Sequence, residues 1–233
     1  MAYPTPGPAA GRVMLITGGT SRIGAATARA AVAAGYRVTV TGRDHAGLQA
    51  ITDELGDVLG VPVDVTDWAA QAGAVQDTLD RFGRLDIAFA NAGFRTESDL
   101  ETGDPPAWRE MILANILGAA LTIKATMAVL RGSRGHLVLA GSAAGRRARA
   151  GNLGGATNWA ITALGESARQ HLNGTGVRVT VIEPDRVAIP FWSSSPPDSL
   201  TAEDIARTVL WALDQPPHVD INEPLLRSTS QNL

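Results

Sequence analysis

The chain has 233 residues, 45% of them hydrophobic, and a formal charge of −3. That suffices for one α/β domain, is short for two, and gives no pull toward nucleic acid or an anionic membrane. The absence of cysteine excludes disulfides and thiol catalysis, and the scattered histidines (His45, His136, His171, His218) lack paired ligand spacing, so no metal is expected.

Residues 1–10, rich in proline and alanine, read as a flexible tail without the basic-then-apolar layout of a secretion signal, and 11–233 as a single domain. Strand Arg12–Thr17 is followed by a helix from Ser21 that ends at Gly35, then by strand Tyr36–Thr41. A helix from His45, a strand over Val58–Val65 and a helix from Trp68 come next, then strand Leu85–Ala90. One long helix is expected over about Pro106–Arg131, strand His136–Gly141 after it, helix Gly154–Asn173 and strand Val177–Pro184. Asp185–Leu200 is a Pro/Ser-rich loop, Ala202–Gln215 a helix and His218–Glu223 a short last strand. No apolar run is long enough to cross a bilayer, since the best candidate, around Ile116–Leu130, carries Lys124. A soluble, cytoplasmic protein is expected. Strand–helix alternation demands crossovers, hence a parallel sheet covered on both faces, and such sheets bind ligands beyond the carboxyl ends of their strands.

The turns after the strands are therefore the places to read for function. After the first comes "TGGTSRIGA" (Thr17–Ala25). Gly18 and Gly24, with Gly19, Ser21, Arg22 and Ile23, allow a tight turn whose amides and helix N-terminus suit a pyrophosphate. Asp64 and Val65 follow the third strand, with Asp64 placed to accept from an adenine amino group. Asn91, Ala92 and Gly93 follow the fourth and would line a cofactor, and Asn115 stands inside the long helix. In this order the motifs resemble the short-chain dehydrogenase/reductase family, from Arg12 to about Pro217. The resemblance implies a Rossmann-type doubly wound sheet of about seven strands, a small-molecule substrate and a homodimer or homotetramer. Arg43 comes directly after the second strand, where NADP-preferring members place a cation, and no acid stands there for a ribose hydroxyl. NADP is thus favoured over NAD, whether as reactant, as a structural element, or not retained at all.

The chemical end departs from the family. Ser142 matches its serine after the fifth strand, but the tyrosine and lysine that should follow, four residues apart, are missing. One register puts Gly154 and Asn158 at those positions; a shift by one puts Gly155 and Trp159 there. The chain's only lysine is Lys124, about two and a half turns past Asn115, and its tyrosines are Tyr3 in the tail and Tyr36 at the far end of the sheet. A phenol with a pKa of about 10, lowered by an ammonium neighbour, normally protonates the developing alkoxide. Asp185 and Ile189 replace the family's glycine and threonine after the sixth strand.

The changes cluster at the hydride-transfer end. The primary expectation is therefore a non-redox enzyme, catalysing cyclisation, isomerisation or dehydration of a polyketide-like molecule. Ser142 and Asn158 would act as an oxyanion hole, with Asp185 and Asn115 assisting. Gly154 would open a pocket and Phe191 and Trp192 would close over the substrate. Arg146, Arg147 and Arg149 read first as a solvated loop, and more sharply as a site for an anionic substrate. An NADP(H)-dependent oxidoreductase using water or Ser142 as its proton source, and a catalytically silent ligand-binding subunit, are the alternatives.

Overall fold

The computed structural model describes residues 11–96, 99–187 and 199–230. Phe191 and Trp192, expected to close over the substrate, Ile189, expected in place of the family's threonine, and Tyr3 in the tail lie outside them. Strands β1 (Val13–Thr17), β2 (Arg37–Gly42), β3 (Val58–Pro62), β4 (Ile87–Ala90), β5 (His136–Ala140), β6 (Arg178–Pro184) and β7 (Leu225–Leu226) form one sheet in the order β3-β2-β1-β4-β5-β6-β7. Every pairing is parallel. The order reverses between β1 and β4, so the carboxyl ends of those strands flank the switch point where a ligand cleft opens.

Alternate residues of each strand feed two cores. Val13, Leu15, Leu137, Leu139, Val179 and Val181 pack under helices α3 (Trp68–Phe82), α5 (Ala119–Ser133) and α6 (Leu153–Leu172). Met14, Ile16, Val38, Val40, Ile87 and Phe89 pack under α1 (Arg22–Ala33), α2 (His45–Leu55) and α7 (Ala202–Leu213). Burial on both faces is why the strands read as continuous apolar runs without alternation.

Three expectations are corrected. The long helix is three segments in a row: α4 (Pro105–Ile112), a π-helical stretch Leu113–Gly118, and α5. The carbonyl of Gly118, where the wide turn ends, accepts from the side chains of Gln71 at 3.0 Å and Thr122 at 2.9 Å. Counted as one helix, Pro105–Ser133 has 29 residues and is long and apolar enough, by length and composition only, to cross a membrane. Here it packs on α3, β4, β5 and α6. The last strand lies at Leu225–Leu226 and not at His218–Glu223. The preceding segment still runs beside β6, with the Val181 amide donating to Asn222 O and Glu183 to Pro224 O.

Candidate active site

A cleft of about 540 Å3 opens at the switch point. On one side it meets the turn after β1. Gly18 adopts φ +64°, and a Cβ there would sit 2.8 Å from Ala92 Cα; one on Gly24 would lie 2.3 Å from Gly18 O. Glycine is required at both positions by space and, at Gly18, by conformation. Asn91 does more than line the cleft. Its Nδ2 donates to Thr17 O (2.9 Å), Gly18 O (3.1 Å) and Ser21 Oγ (3.2 Å), so this side chain clamps the glycine turn to β4. Ser21 caps α1 by accepting from the Gly24 amide at 3.2 Å. Ser21, Arg22 and Ile23 then present the first turn of the helix to the cleft, where its dipole and the guanidinium suit a diphosphate.

Arg43 and Asp64 meet in an ion pair at 4.0 Å beyond β2 and β3. Asp64 Oδ1 is occupied by the Thr66 amide (2.9 Å) and hydroxyl (2.8 Å). Those two bonds, with Arg43 adding to them, hold its carboxyl below the usual range. Val65 is buried and packs against Gly118, where a Cβ would sit 2.7 Å from Val65 Cγ2; it is a core residue and does not line the cleft.

Asn115, expected among the reacting groups, is a structural tie. Its Oδ1 accepts from the Phe94 amide and its Nδ2 donates to Phe94 O, both at 2.9 Å, with a longer bond to Thr157 Oγ1. The π-helical stretch carries this residue and so holds Gly93 and Phe94 in place after β4.

On the other side of the cleft, Ser142 follows β5. Its Oγ accepts from the Ala144 amide at 3.1 Å, which leaves the hydroxyl hydrogen to be donated. Asn158 lines the cleft, whereas Trp159 is 45% exposed, which selects the register that aligns Gly154 and Asn158 with the missing tyrosine and lysine. Asn158 spends one N–H on Gly154 O at 2.9 Å. Gly154 is buried in the first turn of α6 and does not line the cleft; the space falls instead beside Asn152, the N-cap of α6. Lys124 cannot replace the lost lysine, since its ammonium sits 4.6 Å over the Trp68 ring. Tyr36 is buried under Arg12, at the opposite end of the sheet.

Asp185 lines the cleft with its carboxylate in an ion pair to Arg227 (Nε–Oδ2 3.6 Å), an unfavourable setting for a general base. Arg146 also departs from the solvated reading. Its Nε donates at 2.8 Å to Glu183, which is 1% exposed and also accepts from Thr162 Oγ1 at 3.0 Å, and it pairs with Glu223 as well. This network pins the loop after β5 to β6 and α6. Sequence reasoning passed over Arg95, Asn152 and Glu183. The rule of reading the residues just after each strand reaches Arg95, four positions beyond Asn91, whereas nothing in the sequence marks Glu183 as the partner of Arg146.

The donor set fits a phosphorylated dinucleotide: a glycine turn closed by contacts no Cβ would allow, a helix N-terminus with an arginine, and a cation where β2 ends. A family model described as short chain dehydrogenase matches residues 12–199. L-fucose dehydrogenase of Mus musculus is 33% identical over 90% of this chain and 79% of its own length. Serine 3-dehydrogenase of Agrobacterium fabrum is 34% identical over 94% of each chain. An alcohol dehydrogenase from Thermococcus sibiricus, solved with 5-hydroxy-NADP, superposes with a TM-score of 0.88 at 29% identity, covering 95% of this chain and 98% of its own.

Proposed function

This chain belongs to the short-chain dehydrogenase family, and from that premise we propose that it is an NADP(H)-dependent oxidoreductase acting on a small polar alcohol or carbonyl compound, with a proton donor other than a phenol. The observation that carries the reading is one continuous cleft, running from the first turn of α1 at Arg22 to Ser142 and Asn158. The named activities of the relatives, on fucose and serine, favour this reading over the non-redox one that the loss of the Tyr–Lys pair suggests. They equally favour a polar substrate over a polyketide-like one.

Ser21, Arg22, Ile23 and Arg43 would hold the cofactor, Arg43 exchanging its contact with Asp64 for a 2′-phosphate. Bound NADPH supplies a hydride. In the reducing direction the substrate oxygen would gain negative charge and then a proton, and these are the two events that the chain's own residues serve. Ser142 donates a hydrogen bond to the oxygen as charge develops, and the remaining N–H of Asn158 adds a second. The proton is drawn through Ser142 Oγ from solvent. Without an acidic phenol this step is slow, on the order of 100- to 10,000-fold below a tyrosine-bearing site.

Single-turnover mixing of the protein, NADPH and a panel of small oxo and hydroxy compounds tests the reading. Loss of nicotinamide absorbance together with deuteride transfer to product is expected. Solvent-derived isotope appearing in a substrate with no change in the nicotinamide would return the non-redox reading instead.

A further inference from the structure

Besides the nucleotide end, the cleft carries an unusual concentration of positive charge. Its described lining holds four arginines, Arg22, Arg95, Arg149 and Arg186, against one acid, Asp185, in a chain whose net charge is −3. Arg22 belongs to the first turn of α1. Arg95 and Arg149 come from elsewhere, the loops after the adjacent strands β4 and β5, and both line the cleft that Ser142 lines. Arg95 and Arg149 are both exposed residues at the rim of the cleft, and partial burial lowers the pKa of Arg95, the positive charge of Arg149 acting in the same direction. Two guanidiniums lining one cleft can each give a single oxyanion charge-assisted hydrogen bonds.

We infer that Arg95 and Arg149 together bind the anionic group of the substrate, which makes that substrate a small organic acid bearing its alcohol or carbonyl close to a carboxylate or phosphate. The inference rests on the oxidoreductase reading only in calling the bearer of the anion a substrate. Arg149 shares its loop with Ser142, so an anion held there would bring the neighbouring oxygen to the Ser142 hydroxyl.

Calorimetric titration of the whole chain with malonate, glycerol 3-phosphate and neutral malonamide, each with and without saturating NADP, tests this. At least one of the two anions is expected to bind and malonamide to bind more weakly, the tighter anion naming the group. Arg95→Gln and Arg149→Gln should each weaken that binding about tenfold or more, and the double variant by less than the product of the two. NADP affinity should be unchanged in all three. Anion affinity indifferent to both substitutions, or lost in step with NADP affinity, would overturn the inference. Hydride transfer plays no part in this titration, so a failure of the redox reading would register in the single-turnover assay and leave this result standing.

Discussion

At Gly154 and Asn158 the scaffold of a proton relay is present without its acid. Asn158 faces the cleft one helical turn from Gly154, and its amide bonds back to the Gly154 carbonyl. Gly154 itself is buried, so a tyrosine there completes the relay by turning its ring past Asn152 into the cleft. The double variant Gly154→Tyr/Asn158→Lys is expected to raise kcat for carbonyl reduction by roughly 100- to 10,000-fold, read at the nicotinamide absorbance, while Asn158→Lys alone changes it little. Unchanged kcat in a folded double variant would mean that Ser142 and solvent already deliver the proton at full rate. Arg43 presents a second test. Its present partner, Asp64, is half engaged by Thr66, and the pair stands at 4.0 Å with Arg43 72% exposed. Arg43→Ala should weaken NADP about tenfold or more and leave NAD almost unchanged, because only the first offers a phosphate in exchange. Equal losses for the two nucleotides in a calorimetric titration would remove Arg43 from the site.

At the level of elements, the site depends on ties between neighbouring segments. Asn91 joins β4 to the glycine turn after β1. Asn91→Ala would leave three acceptors short of a donor and is expected to cost about 1–3 kcal/mol in denaturant unfolding, with a parallel loss of nucleotide affinity. β5, β6 and the C-terminal segment are joined in turn by a fixed proton arrangement. Thr180 Oγ1 donates to Ile221 O at 2.6 Å, so it must accept from His136 Nε2 at 2.7 Å, and His136 is neutral with its proton on Nε2. Full burial, with Arg178 and Arg12 nearby, holds its pKa well below 6.5. The unfolded chain therefore binds this proton at a higher pH than the folded one. Stability from His136 is complete above about pH 6.5 and falls as pH drops below it, by up to about 1.4 kcal/mol per pH unit. In thermal melts from pH 8 to 5, His136→Gln should flatten that acid decline. The same ties explain what the sequence discloses. Glycine spacing and apolar runs are local signals, so the sheet, the first turn and the positions of Ser142 and Asn158 are legible. The roles of Asn91, Asn115 and Glu183 are not, because each is set by partners 37 to 74 residues away or closer ones reached only through the fold. The displaced β7 has the same cause, since its two residues pair with β6 by register while carrying no periodic pattern of their own.

For the molecule as a whole, the cleft wall and the outer surface share one helix. α6 directs Asn158 inward and leaves Trp159 45% exposed on the next position, and the neighbouring π-helical segment and α4 add Leu117 at 40% and Ile112 at 38%. These side chains stand on contacting segments, α6 touching both the π-helical stretch and α4. Exposed apolar side chains on adjoining helices favour association, and we propose a second copy of the chain as the occupant. A stable pair would bury about 1,200–2,000 Å2 in total, more than these side chains alone supply, so flanking surface of α5 and α6 must join in. We predict a homodimer or homotetramer by light scattering at micromolar concentration, with a Tm that rises with protein concentration. Leu117→Glu/Trp159→Glu should yield a folded monomer whose melting no longer depends on concentration. Because Trp159 adjoins Asn158 on the same turn, that monomer should also lose turnover more than it loses affinity for NADP, whose proposed site is the far end of the cleft. A parent chain that is already monomeric, or a double variant that assembles as before, would place the interface elsewhere.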